Sequence, residues 1–207
     1  ELYEATDRFE EADDLRLRAV EIEIHTAEQA LMLYEQQLGS NNPDLGNRLD
    51  ELAAEYQGRN FDVAAEILYL GALEIREQQL GPDHLEVANS LHKIADFYES
   101  LWYFREAASL YSRALEIREQ QLGPNHLEVA KTLVRLASAY LKSSGSMEET
   151  VSLYSRALEI YEQALGSDHE GIIEFLIYEL AAMYVALERY EEAETLLEQA
   201  KASLLNA

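Results

Sequence analysis

Eleven residues, ALEIREQQLGP, stand at Ala72 to Pro82 and return unchanged at Ala114 to Pro124, 42 positions later. The nine residues SLYSRALEI at Ser109 to Ile117 recur at Ser152 to Ile160, and HLEVA at His84 to Ala88 recurs at His126 to Ala130. A fixed period of this length means a stack of similar units, each resting chiefly on its neighbours, rather than one folded globule. The fold is therefore bounded tightly, while the chemistry is left nearly open.

The helix-end pair Leu-Gly falls at Leu38-Gly39, Leu80-Gly81, Leu122-Gly123 and Leu165-Gly166, at steps of 42, 42 and 43. Each glycine can take the left-handed conformation that closes a helix. Short polar side chains follow at Asn42-Pro43, Pro82-Asp83, Pro124-Asn125 and Ser167-Asp168, where they can accept from the first free N–H groups of the next helix. Asp83 with Glu86, and Asn125 with Glu128, have the spacing of a capping box.

After each start the pattern predicts a helix of about 14 residues, a short turn and a second helix of about 18, each with one apolar stripe. In the unit from His84 to Gly123 the first stripe is Val87, Leu91, Ile94, Ala95 and Tyr98, and the second is Ala107, Leu110, Ala114, Leu115 and Ile117. Each repeat reads as an antiparallel helical hairpin. Alignment brings Ala53, Ala95, Ala137 and Ala181 into one column and Tyr56, Tyr98, Tyr140 and Tyr184 into another. A second small column, Ala65, Ala107 and Ala193, is broken by Thr150, and that unit carries an extra residue around Ser143-Ser144-Gly145-Ser146. Before Gly39, Ala19 to Gln37 reads as a helix, whereas Leu2 to Asp14 is acidic and weakly periodic and is expected to form a partial N-terminal cap.

Composition narrows the function classes. Forty acidic against 16 basic side chains give a net charge of −24, which repels phosphate backbones and anionic lipid, so nucleic acid and membrane are not expected partners. Without cysteine there are no disulfides or thiolate metal sites. No apolar run reaches membrane-spanning length and the start lacks the plan of a signal peptide, which makes a cytoplasmic location the default. The absence of an initiator Met leaves room for a trimmed start.

Two helices per unit, small residues at the crossing points and a Tyr closing the first helix resemble the tetratricopeptide repeat. The 42-residue period, with ALEIREQQLGPDHLEVA and LERYEEAETLLEQA, resembles its longer-helix form found in kinesin light chains and bacterial relatives. The resemblance implies an all-α fold, a right-handed α-solenoid of antiparallel hairpins over 1–207, with a degenerate unit at 1–41 and repeats at 42–83, 84–125, 126–168 and 169–207. It also implies a concave groove, lined by the first helices, that takes a peptide or helical segment of a partner protein. Carried over by position, the inward residues are Asn47, Asp50, Ala54 and Gln57, then Asn89, His92, Asp96 and Glu99, then Lys131, Val134, Ser138 and Leu141, then Phe175, Tyr178, Ala182 and Val185. Asn47, Asp50, Asn89, His92, Asp96, Lys131, Phe175 and Tyr178 are the expected partner contacts. Their character passes from polar and acidic to apolar, which fits a partner with a basic or polar half and an aliphatic or aromatic half.

Signals for chemistry are weak by comparison. His84, His126 and His169 recur once per unit, but stacked units sit about 10 Å apart, whereas zinc ligands converge within about 2 Å of one ion. They are expected to be turn residues. His92 is the histidine expected to face the groove. Paired carboxylates such as Glu10-Glu11 and Glu191-Glu192 point about 100° apart on a helix and read as a solvated acidic face. No phosphate-binding loop, nucleophile elbow or HExxH motif occurs, so neither enzyme activity, metal nor cofactor is expected. Trp102 and Tyr103, ahead of Phe104, form an aromatic cluster outside the regular columns; Trp102 is expected to bury against a neighbouring unit, with an exposed contact residue as the alternative. The stripe Ala193, Leu196, Leu197, Ala200 and Leu204 in the last helix is expected to lie uncovered, so self-association through that helix is the second functional reading.

Overall fold

The computed structural model describes the backbone of residues 2–39, 42–143, 145–165 and 170–206, and side chains over 14–39, 42–143, 145–164, 171–198 and 200–201. His169, Gly166, Ser144 and the start signal Ser167-Asp168 lie outside these residues, as does the side chain of Leu204. Among the described residues the chain is all helical: α1 Leu2–Leu38, α2 Leu45–Gly58, α3 Asp62–Leu80, α4 Leu85–Ser100, α5 Phe104–Leu122, α6 Leu127–Lys142, α7 Met147–Leu165, α8 Glu170–Ala186 and α9 Tyr190–Asn206. No described helix is long and apolar enough to cross a membrane. Two compact units are formed, residues 1–90 and 91–207, and the division falls inside α4.

In the first unit α2 and α3 make the hairpin, and α1 packs on α3 and more lightly on α2. Instead of a partial cap followed by a helix, α1 is one continuous helix of 37 residues. The reason is local, since no Gly or Pro lies between Leu2 and Leu38 to stop it. Its buried anchor is Ala27, and Glu23 Oε2 accepts from the Ala64 N–H at 3.5 Å near the start of α3. In the second unit each helix from α5 onward packs on the next, around a core that includes Tyr111, Leu133, Leu136, Tyr154, Leu176 and Leu180. The expected small columns are buried throughout: Ala53, Ala95, Ala137 and Ala181, and Ala65, Ala107, Thr150 and Ala193. Thr150 is accommodated because its hydroxyl donates to the Ser146 carbonyl at 3.0 Å.

The helix ends differ from expectation in chemistry rather than in place. Gly81 and Gly123 do have positive φ, 88° and 87°, but their ψ values of 156° and 155° put them outside the left-handed helical basin, in a region open essentially to glycine alone. The caps of α4 and α6 are not Asp83 and Asn125. They are His84 and His126, whose Nδ1 atoms accept from the Glu86 and Glu128 N–H groups, each at 3.1 Å. These two histidines are turn residues with a specific task. The N-cap of α2 is Asp44, which makes no side-chain capping hydrogen bond; Asn42 Oδ1 accepts from Asp44 N at 2.9 Å in the turn ahead of the helix rather than from the helix itself.

The tyrosine column closes the first helices by a shared device. Phe61 N donates to Tyr56 O, Tyr103 N to Tyr98 O and Arg189 N to Tyr184 O, while Asn60, Trp102 and Glu188 between them hold φ of 60°, 66° and 59°. This is the Schellman closure, and its customary side-chain contact is present each time. Tyr56 meets Phe61 and Tyr98 meets Tyr103 edge to face, both with ring centroids 6.2 Å apart, and the Arg189 guanidinium sits 4.7 Å from the Tyr184 ring centre. In the third hairpin Gly145 N donates to Tyr140 O at 2.8 Å.

Candidate functional site

In the second unit the first helices are α4 from Leu91 onward, α6 and α8. Spacing by three and four places His92, Asp96 and Glu99 on one face of α4, Lys131, Val134, Ser138 and Leu141 on α6, and Phe175, Tyr178, Ala182 and Val185 on α8. The α8 row is open: Phe175 is 44% exposed, Tyr178 67% and Val185 51%, and Leu141 on α6 is exposed as well. Lys131 is exposed, with its ammonium on the Glu128 carboxylate at 2.6 Å. That hydrogen bond holds the Glu128 carboxyl below the usual carboxylate range. Tyr154 of α7 lies beneath this face, next to Ser138 on α6 and within electrostatic reach of Glu179 on α8, and burial pushes its hydroxyl up to about 12.

Under α4 the second helix supplies two buried polar groups. The Tyr111 ring is fully buried while its hydroxyl donates to the Asp96 carboxylate and lies 3.2 Å from Glu99. Burial and these carboxylates raise the pKa of Tyr111. From α6, Arg135 approaches Asp96 at 3.8 Å and Glu99 at 3.7 Å, and Lys142 pairs with Glu99. The second buried group is Arg118, which donates to Thr132 Oγ1, faces His92 Nδ1 at 3.3 Å and has Glu128 at 4.0 Å. Guanidinium only donates, so His92 Nδ1 is the acceptor and its proton rests on Nε2, 4.0 Å from Asp96. Burial first, and then the Arg118 and Arg135 charges, lower the His92 pKa against the opposing pull of Asp96.

The remaining expected contacts belong to the first unit. Asp50 is only 6% exposed, its carboxylate 2.9 Å from the buried Arg76 guanidinium. Asn47 is exposed but gives its carbonyl to the same arginine at 2.8 Å, and Ser90 Oγ accepts at 2.7 Å. Asn89 is exposed, its amide donating to Glu86 at 3.4 Å. Arg76 and Arg118 occupy the same place in ALEIREQQLGP, four residues after the buried Ala72 and Ala114 and so on the same helix face, which is the signal the sequence offers for them.

Trp102 is 79% exposed, not buried against a neighbouring unit. It occupies the positive-φ position of the turn, where a bulky side chain costs about 1–2 kcal/mol relative to ordinary backbone. Its edge meets Phe104 with centroids 5.7 Å apart, and the Lys142 ammonium lies 5.4 Å from the Phe104 ring centre. These groups, with Asp96, Glu99 and Arg135, line a cleft of about 680 Å³. Sequence position alone did not place Arg135 and Lys142 at the site. In the last helix Ala193 is buried, and Leu196 and Ala200 pack against the core rather than lying uncovered, so Leu197, at 42% exposure, is the open member among those described.

Family profiles described as Tetratricopeptide repeat match residues 46–86, 87–128 and 141–205. No curated protein sequence matches the chain. Among solved structures, BtubC (BKLC) from P. vanneervenii is similar at a TM-score of 0.68 and 23% identity, over 87% of this chain and 74% of that one. The nearly identical TPR-like repeats of a kinesin light chain candidate from Podosopora anserina are similar at 0.65 and 26% identity, over 92% and 96%. The N-terminal domain of stress-induced protein-1 from C. elegans shares the fold at 0.50 and 17% identity, over 66% and 94%. Repeats of this kind mediate protein–protein interaction and are typically non-enzymatic scaffolds. By its repeats the chain belongs to the tetratricopeptide repeat family, and the solved structures it resembles include kinesin-light-chain-like members.

Proposed function

We propose that this protein is a non-enzymatic interaction module that binds a peptide or helical segment of a partner protein along the first-helix face of its second unit. The observation that carries this reading is the row Phe175, Tyr178, Ala182 and Val185, four residues on one helix face with three large apolar side chains left open to water. Covering each such side chain fully contributes about 1.5–3 kcal/mol, and a face fixed by helix packing loses little freedom when it is covered. On the other first helices of the unit, Lys131 of α6 and Asp96 and His92 of α4 suit a polar or basic half of the same segment. In the first unit, Asn47 and Asn89 are exposed polar positions at the corresponding places of its own first helices, while Asp50 supports Arg76 from within. No cofactor, nucleic acid or membrane enters this reading.

The test is affinity capture with wild type beside Lys131→Glu/Tyr178→Ala, both exposed positions; losing the surface Lys131–Glu128 pair costs about 1 kcal/mol or less, which a melting curve checks. A protein held by wild type and lost by the variant supports the face; equal recovery from both overturns it. A second reading, assembly through the ends, is favoured by one observation: α1 exposes Leu15, Leu17, Ile22, Met32 and Leu33. Sedimentation of Ile22→Asp beside wild type decides it, because a wild-type monomer removes the reading.

A further inference from the structure

The turn between α4 and α5 departs from the repeat in a concentrated way. Asn60, Ser144 and Glu188 stand where it has Trp102. Glu51, Lys93 and Glu179 match Arg135, and Gly58, Ser100 and Ala186 match Lys142. The same chain keeps eleven residues identical between two units, so the divergence is not a general loosening of the pattern. It has put the chain's one tryptophan, exposed, on a backbone conformation that favours Asn or Gly, at the lip of a cleft.

The charges in the cleft decide what such an indole can receive. Lys142 is spent on Glu99 and on the Phe104 face, and Arg135 is shared between Asp96 and Glu99. Two cations meet two carboxylates, so the cleft contributes no net charge of its own within a chain of net charge −24. An incoming carboxylate would have to displace Asp96 or Glu99 and approach against that field. An incoming cation is drawn by the field, finds the electron-rich face of the indole, and meets the half-exposed Asp96, which Arg135 approaches only to 3.8 Å and for whose charge it competes. Lys142 over Phe104 is the same contact, already made internally, in the same cleft.

We infer that the Trp102 cleft is the seat for a basic side chain, arginine or lysine, of the partner segment, stacked on the indole and balanced by Asp96. This rests on the face-binding reading and names the chemistry of one residue in the segment.

The experiment is calorimetric titration of two nine-residue synthetic peptides, alternating leucine with arginine or leucine with glutamate, into wild type, Trp102→Asn and Tyr178→Ala. Trp102→Asn installs the residue that the matched turn already carries at Asn60, so the fold is kept and the melting temperature does not fall. The arginine peptide should bind wild type, weaken as salt rises, and lose about tenfold in affinity with Trp102→Asn. Equal affinity for wild type and Trp102→Asn, preference for the glutamate peptide, or no binding of the arginine peptide overturns the inference. Loss with Tyr178→Ala but not with Trp102→Asn leaves the face-binding reading standing and removes this one; binding that neither variant alters removes both.

Discussion

Arg76 and Arg118 are the same residue of the repeat, each 5% exposed, yet the two units satisfy them differently. In the first, Arg76 is met by a buried carboxylate, Asp50 at 2.9 Å, together with Asn47 and Ser90. In the second, His92 stands at the position of Asp50 and Thr132 at that of Ser90, and the Glu128 carboxylate lies 4.0 Å from Arg118. The repeat thus preserves the cation while changing the residue set against it, from Asp50 to His92. One unit has a closed ion pair under its first helix; the other has an imidazole whose pKa is lowered first by burial and then by the arginine beneath it. Burial correspondingly lowers the Arg118 pKa, with Glu128 opposing the change.

The comparison breaks most sharply at Asp50. Asp50→Ala strands a buried guanidinium and should cost about 3–5 kcal/mol in urea unfolding; a loss below 1 kcal/mol would mean that Asn47 and Ser90 suffice. His92→Asp, which copies the first unit into the second, should gain about 1.5–3 kcal/mol at neutral pH by giving Arg118 a charged acceptor. A pH series sharpens the same point. The unfolded imidazole titrates near 6.5 and the folded one lower, so the unfolded state takes up the proton first. Wild type should therefore lose stability as pH falls below about 6.5, the loss levelling off under the folded pKa, and His92→Asp should lack that slope. A variant less stable than wild type at pH 7 would show that the two arginine sites are not interchangeable. The smallest effect is at Thr132→Val, where removing one of the acceptors of Arg118 should cost about 1 kcal/mol, read as a shift in the urea midpoint.

Period and burial pattern were sufficient for the hairpins, the alanine columns and the place of every described turn, because those follow from spacing alone. Cap identity was not legible: histidine stands outside the preferred capping residues, and only the geometry of His84 and His126 shows Nδ1 facing the N–H two residues on. In α1 the absence of a helix breaker outweighs the weak periodicity of Leu2 to Asp14, so one helix runs through both parts. At the site, spacing selected the open face of α8 but could not see that Asp50 is drawn inward by an arginine 26 residues later, nor that Arg135 and Lys142 converge on Glu99 from another helix. Such pairings depend on which helices stack, and one helix's pattern does not contain them.

The solitary exposed indole also makes the protein optically divided. Excitation at the red edge of aromatic absorption reaches Trp102 alone, so its emission reports the water at one turn and stays largely silent about the core. Among the 13 tyrosines, the buried Tyr69, Tyr111, Tyr154 and Tyr161 report the interior. Occupation of the turn and loosening of the helical stack can therefore be followed in one cuvette, at two wavelengths, without any label.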